Sequence, residues 1–238
     1  MASNPTVNLR EITLKELKDT PLKVDTLIVN DLHLGAEFGK PREALEVLEA
    51  VSFKKLVLGG DTFERDDFTH LGELGEQVAQ KIYELSKKRE VIFVAGNHDE
   101  DLPLPLLQKK LGLDKIVEYW QEGKILVVHG HQEGNSFEEG SLLDWIGDTS
   151  DVVFRFFRLK NFYDTLGNLL FQLPKKVREN ALKYALENKS LVVISGHTHR
   201  SDFVKEGSIT YLNSGSFAGP HLGFVTITKN SVVMYRVQ

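Results

Sequence analysis

Five short runs of Val, Ile, Leu and Phe punctuate the chain, and each ends in glycine or in a side chain that can ionise or coordinate. "VDTLIVNDLHLG" is apolar through Leu27, Ile28 and Val29 and then delivers Asp31 and His33. "FKKLVLGGDTFE" passes from Leu56, Val57 and Leu58 to Gly59, Gly60 and Asp61. "VIFVAGNHDE" yields Gly96, Asn97, His98 and Asp99, and "KILVVHGHQE" yields His129, Gly130 and His131. "LVVISGHTHRSDF" ends in Gly196, His197, Thr198 and His199. In each run successive positions are apolar, so each predicts a strand buried on both faces. Helical patterns lie between them. "KPREALEVLEAV" has Pro41 near its start and Leu45, Leu48 and Val51 on one side. "ELGEQVAQKIYELSKK" places Leu74, Val78, Ile82 and Leu85 on one stripe and ends in lysines, where the helix dipole favours them. Alternating strand and helix implies parallel pairing through βαβ units. Beyond Thr210, "SITYLNSGSF" and "GFVTITKNSVVMYRV" predict short strands and a hairpin turning at Lys229-Asn230, and so a second, partly antiparallel sheet.

His197 and His199 cannot both face a core from a regular strand without Thr198 facing away, so they belong to the strand's carboxyl rim. In open α/β sheets that rim is where ligands bind. Asp31 to Asp61 spans 30 residues, Asp61 to Asn97 spans 36, and Asn97 to His129 spans 32. Each interval fits a βαβ step of about 30 residues. From His129 to His197 is 68, which leaves room for an extra unit. The surplus reads as a helical insertion over about 138–188, rich in aromatics and broken at Pro174.

Composition narrows the class. A chain of 238 residues can bury one sizeable core, and a single α/β domain over 1–238 is expected. Its hydrophobic share of 41% and charged share of 26% are those of a soluble globular protein. The absence of cysteine removes disulfides, thiolate metal sites and cysteine nucleophiles from consideration. The first residues, "MASNPTVNLREITLKELKD", lack the apolar core of a secretory signal. No run approaches the roughly 18 apolar residues of a membrane span. A cytoplasmic location is expected, with peripheral membrane association as the alternative. A formal net charge of −5 disfavours a dedicated nucleic-acid binder.

The rim holds Asp31, His33, Asp61, Asn97, His129, His197 and His199, all oxygen or nitrogen donors. Such a set suits manganese, iron, zinc or magnesium and does not choose among them. Seven donors exceed the need of one ion and suit two, roughly 3.5–4 Å apart with one carboxylate between them. Two divalent cations with Asp31, Asp61 and a bridging hydroxide would leave a net charge of about +1, which attracts an anionic phosphate without trapping it.

The motifs "DLH", "GGD", "GNHD", "HGH" and "GHTH", in this order and each after an apolar run, resemble the calcineurin-like metallophosphoesterase superfamily over about Ile28 to Ser216. The resemblance implies a four-layer α/β/β/α sandwich of two mixed sheets with the site at its edge, and two divalent ions, manganese first among them. Position by position it implies that Asp31, His33 and His199 hold the first ion, that Asn97, His129 and His197 hold the second, and that Asp61 bridges them. His98 resembles the family's catalytic histidine, which contacts the phosphate and protonates the leaving oxygen, with Asp99 able to orient it. The implied reaction is cleavage of a phosphoester or pyrophosphate bond by in-line attack of a metal-bridging hydroxide. Ser214, Gly215 and Ser216 match a family turn near the site.

Other residues are less determined. His131 reads as a substrate contact, a neighbour of the ligands or a loop histidine, and Glu64 as a neighbour of the site or loop polarity. His70 and His221 read as surface residues. Between Arg155 and Lys189 stand 8 basic and 3 acidic residues, and Arg155, Arg158 and Lys160 interleave with Phe154, Phe156, Phe157 and Phe162. This pattern suits either a helical pair packed on the domain or on another subunit, or a cap in which Arg155 and Arg158 contact a substrate with phosphates and an apolar part. The cap and "GDTFE" also resemble the UDP-2,3-diacylglucosamine pyrophosphatases, which would make the substrate nucleotide- or lipid-linked. The chain departs from that subgroup in carrying His98 and His131 where it has Arg and Asp. A non-catalytic scaffold on the same fold and a nuclease complete the alternatives.

Overall fold

The computed structural model describes residues 4–65, 68–99, 101–131, 163–229 and 231–238, with backbone alone over 163–173. Arg155, Arg158 and most of the expected insertion lie outside them. Each of the five apolar runs is a strand: β3 (Thr26–Val29), β5 (Lys55–Gly59), β6 (Glu90–Val94), β8 (Ile125–Val128) and β9 (Val192–Ser195). The two helical patterns are α2 (Pro41–Ala50) and α3 (Gly72–Ser86). Along α3 the buried stripe is Gly75, Val78, Ala79, Ile82 and Leu85, with Leu74 half-buried at its margin. The hairpin is β12 (Gly223–Thr228) and β13 (Ser231–Val237), antiparallel as a hairpin requires.

The remaining elements carry weaker signals. β1 (Thr6–Ile12) is largely exposed and pairs in parallel with β13 at a sheet edge. α1 (Leu14–Asp19) begins with a capping box, in which Thr13 and Glu16 satisfy each other's backbone amides. β2 (Leu22–Lys23) and β4 (Val51–Ser52) form a small separate pair. α4 (Leu104–Leu111) stops at Gly112, whose φ of 71° makes the left-handed cap that glycine adopts without strain. β7 (Tyr119–Glu122) and β10 (Ser201–Glu206) are the edges of the second sheet, and β11 (Ile209–Ser214) lies inside it. α5 (Tyr163–Glu187) runs through Pro174 rather than breaking there. Proline removes one backbone donor, but packing of the helix's later turns against the sheet outweighs that local cost.

The expectation of five strands along one rim needs correction in topology. The first sheet runs β1-β13-β12-β3-β5-β6 and the second β10-β11-β9-β8-β7. The site-bearing strands therefore divide between two sheets. The segment after Thr210 likewise supplies both, with β11 in the second and the hairpin in the first. Three cores make the layers. Ile28, Val57, Ile92 and Val225 of the first sheet meet Val127, Val192, Ile194 and Leu212 of the second in a shared core. Leu27, Val29, Leu56, Leu58 and Phe93 face the opposite way, onto α1 to α4. Leu126, Val128, Val193 and Tyr211 take Ala181, Leu182 and Ala185 of α5. The order is helix, sheet, sheet, helix. Burying each Val, Leu or Ile in these layers contributes roughly 1.5–3 kcal/mol, which is why the strands read as unbroken apolar runs. Both sheets end their parallel strands on the same side, and the polar residues after β3, β5, β6, β8 and β9 gather there.

Candidate metal centre

The loops after β3 and β5 are zipped together by their backbones. The amide of His33 donates to the Asp61 carbonyl at 2.9 Å, that of Leu34 to Thr62 at 2.9 Å, and that of Glu64 to Leu34 at 3.1 Å. This brings Asp31, His33, Asp61 and Glu64 into one volume. The turn after β9 arrives from the other sheet, and its His197 amide donates to Asp31 Oδ1 at 2.8 Å. Asp31, His33, Asp61, His197 and His199 all hold left-handed backbone, with φ of 49°, 42°, 47°, 69° and 53°. Non-glycine residues adopt it at a cost of order 1–3 kcal/mol, and such strain concentrates at functional sites.

Two donor groups result. Asp31, His33, Asp61 and His199 place ligand atoms within 4.8 Å of one another, and so do Asp61, His129 and His197. Asp61 belongs to both. In the first group His33 Nε2 lies 3.0 Å from His199 Nε2 and 3.5 Å from Asp61 Oδ2. In the second His129 Nε2 lies 3.2 Å from Asp61 Oδ2 and 3.2 Å from Asn97 Oδ1. The Gly59 carbonyl, 3.3 Å from His129 Nδ1, can only accept, so it keeps a proton there and turns Nε2 inward. All seven expected ligand residues are thus brought together.

The donors fit divalent cations on two counts. Asp31 Oδ2 is buried with no hydrogen-bond partner, an expensive state unless something positive meets it. The backbone also leaves room that a side chain would fill: a Cβ on Gly196 would collide with that Oδ2, and one on Gly96 with Asp61 Oδ1.

Proton affinities in the metal-free site follow burial first. Desolvation, with the His129 charge behind it, lowers His197 to about 3. Desolvation, with the His33 charge behind it, lowers His199 to about 3. Both rings are neutral at pH 7 and offer lone pairs. Burial also opposes charge on His129, but the charge and hydrogen bond of Asp61 outweigh it and raise the pKa to about 9. His129 and Asp61 are therefore an ion pair until a cation replaces the proton. Asp31 is raised to about 6 by burial, against the pull of His129. Burial, with the Asp61 charge next, raises Asp99 to about 7.

His98 sits at the mouth, its amide on Asp61 Oδ1 at 3.1 Å and its Nδ1 3.2 Å from the Glu64 carbonyl. Asp99 is fully buried, and its carboxylate accepts from the amides of Thr62, Phe63 and Gly96 at 3.1, 3.3 and 3.3 Å. Its position ties the β5 and β6 loops together, so it acts on the placement of Asp61 and Asn97 rather than on the His98 ring. The ring of His131 lies 5.2 Å from that of His129 and 6.5 Å from that of His197, at the edge of the second group. His70 and His221 are exposed. Ser216 Oγ donates to the Asp31 carbonyl at 3.0 Å, which gives the serine turn a structural task.

Two residues beyond the motifs hold the site from below. Asn30 Nδ2 donates to the Ser195 carbonyl and to Ser214 Oγ, both at 3.1 Å. Asn213 Nδ2 donates to the Gly196 carbonyl at 2.6 Å and to Thr198 Oγ1 at 3.1 Å. The only sequence signal for either is an amide at the end of an apolar run.

Similarity to known proteins agrees with this geometry. A family model described as "Calcineurin-like phosphoesterase superfamily domain" matches residues 24–234. Comparison with curated proteins gave no match. Among solved structures the chain is similar to Vacuolar Protein Sorting 29 from Cryptosporidium parvum, at 18% identity and a TM-score of 0.47 over 90% of each chain. It is similar to wild-type Vps29 complexed with zinc from Entamoeba histolytica, at 17% identity and a TM-score of 0.49 over 89% of this chain and 90% of that one. It is also similar to Yfce, a phosphoesterase from E. coli, at 18% identity and a TM-score of 0.44 over 84% of this chain and 86% of that one. The family model's match over residues 24–234 shows that the chain belongs to the calcineurin-like phosphoesterase superfamily.

Proposed function

We propose that the chain is a dimetal-dependent phosphohydrolase that cleaves a phosphoester or pyrophosphate bond. One observation carries the reading: Asp61 belongs to two separate donor groups at once. Asp31, His33 and His199 would hold the first cation, and Asn97, His129 and His197 the second, with Asp61 between them. Two divalent ions, manganese first among the candidates, would supply a nucleophile from water at neutral pH and would offset the charge on the phosphoryl oxygens. The chain's own residues do the rest. His98, at the mouth and half-buried, donates its Nε2 proton to the leaving oxygen as the ester bond breaks. Asp99 holds the loops bearing Asp61 and Asn97 in register. His131 borders the second position and would meet a non-reacting part of the substrate, together with Arg155 and Arg158 of the segment over about 138–188. The later turns of that segment belong to α5 and form the fourth layer, so any covering role falls to its earlier part.

The purified protein supplied with manganese is expected to hydrolyse p-nitrophenyl phosphate or its bis ester. Asp61→Ala and Asn97→Ala should each lower the rate by about a thousandfold or more, because each loss disturbs charge placement at the reacting phosphorus. Undiminished turnover by Asn97→Ala would overturn the reading. So would a folded, metal-loaded protein that leaves a broad panel of phosphate mono-, di- and pyrophosphate esters untouched, the outcome that a scaffold would give.

A further inference from the structure

Besides the two donor groups that share Asp61, the structure gathers a third: His33, Glu64 and His98. An ion there would have to displace the proton from His33 Nδ1 while Nε2 already serves the first position, which demands an imidazolate. A hydrogen-bonded clamp needs no such step. Glu64 Oε2 lies 2.8 Å from His33 Nδ1, and the side chains are 17% and 4% exposed. The carbonyl of the same residue lies 3.2 Å from His98 Nδ1, and the two rings stand edge to face with centroids 5.1 Å apart.

We propose that Glu64 is a positioning residue that sets the tautomers of two histidines, its carboxylate holding the proton of His33 on Nδ1 and its backbone carbonyl holding that of His98 on Nδ1. The inference rests on the reading of His33 as a metal ligand. A carboxylate accepts and does not donate, so the proton must sit on the nitrogen that faces it. Two carboxylates compete for His33. Glu64 at 2.8 Å is within charge-assisted hydrogen-bond range, whereas Asp61 at 3.5 Å from Nε2 is beyond it. Glu64 therefore wins, and Nε2 is left as a bare lone pair directed at His199 and Asp61. Without Glu64 the charge of Asp61 would draw the proton to Nε2 and block coordination. The carbonyl does the same for His98, so that Nε2 takes up the second proton and the doubly protonated ring passes it from there to the leaving group. Partners of this kind change metal affinity by about 10- to 100-fold when removed.

The test uses the full chain and manganese alone. Long-range proton–nitrogen NMR of the metal-free wild type, with the pH raised until His33 carries a single proton, should show that proton on Nδ1. E64Q, whose amide can donate to Nδ1, should move that proton to Nε2. Calorimetric titration of E64Q with manganese should show one of the two binding events weakened by about 10- to 100-fold, and E64D should recover part of the loss. A His33 proton on Nε2 in the wild type overturns the proposal, and so does an E64Q protein that binds both ions with undiminished affinity. If E64Q fails to fold, the wild-type spectrum still decides. A wild type that binds no manganese yet carries the Nδ1 proton on His33 refutes the dimetal reading and leaves the tautomer assignment standing.

Discussion

Asp31 works through its backbone and side chain at once. Its amide donates to the Gly60 carbonyl at 3.0 Å, and its own carbonyl accepts from Phe217 and from Ser216 Oγ, each at 3.0 Å. Oδ1 takes the His197 amide, and Oδ2 is left for a ligand. The space at Oδ2 exists because Gly196 has no Cβ. Gly196→Ala should therefore force the carboxylate aside, and the new Cβ would also crowd Asn30 Cβ at 3.1 Å. The expected result is manganese affinity lowered by at least about tenfold, since a charged ligand is lost, and a melting temperature lowered by several degrees, measured by calorimetric titration and thermal unfolding. The acids and imidazoles here were legible in the sequence, because a polar residue directly after an apolar run has few bland explanations when five runs repeat it. Asn30 and Asn213 were not, because their partners are carbonyls and hydroxyls on segments more than a hundred residues away or one strand over. Asp99 was legible as a site residue while its contacts, three amides on two loops, were not.

At the scale of elements, the turn after β9 depends on its neighbour β11. Asn213, at the end of β11 and fully buried, holds both the Gly196 carbonyl and the Thr198 hydroxyl, so one amide fixes the direction in which His197 and His199 leave the strand. Asn213→Ala removes those bonds and strands a buried carbonyl, which costs about 1–3 kcal/mol. Because the two histidines stand in different donor groups, the dimetal reading expects calorimetry to record weaker binding of both ions in Asn213→Ala and of one in E64Q. The difference between the two variants is itself a check on the geometry. The central strands and helices α2 and α3 could be read from periodicity. The edge strands β1, β7 and β10 could not, since they are half-exposed and mix polar with apolar residues. Nor does periodicity say which sheet a strand joins: a buried run reads the same in either layer, and the division of β3, β5 and β6 from β8 and β9 is fixed only by packing across the shared core.

The whole molecule carries a pH dependence that cations should abolish. Above pH 6.5 three groups of the metal-free protein keep protons that the unfolded chain has released: His129, with a pKa of about 9, Asp99, at about 7, and His33, which burial lowers but the Glu64 hydrogen bond and the Asp61 and Asp31 charges raise. The folded state then binds more protons than the unfolded state, so stability falls as pH rises. The stabilisation from His129 is complete below its unfolded value near 6.5 and lost through about 9. Below 6.5 the lowered values of His197 and His199 make stability fall as pH drops, while the raised values of Asp31 and Asp99 make it rise, so the two pairs largely offset each other. The metal-free protein should thus vary little in stability on the acid side and lose on the order of a few kcal/mol between about pH 6.5 and pH 9. Denaturant unfolding across that range would measure it. Saturating manganese should flatten the alkaline limb, since the cation takes the place of the His129 proton.

The contact of His33 with His199 at 3.0 Å joins residues 166 apart in the chain. No early fragment can reproduce it. Contacts this distant in sequence form late, after the entropy of closing a long loop has been met by docking of the two layers. During synthesis a nascent chain would therefore pass most of its length unable to sequester ions at the first position. Completion of the first donor group becomes a closing event of biogenesis, and a prematurely terminated product lacking His199 would circulate with that group unfinished.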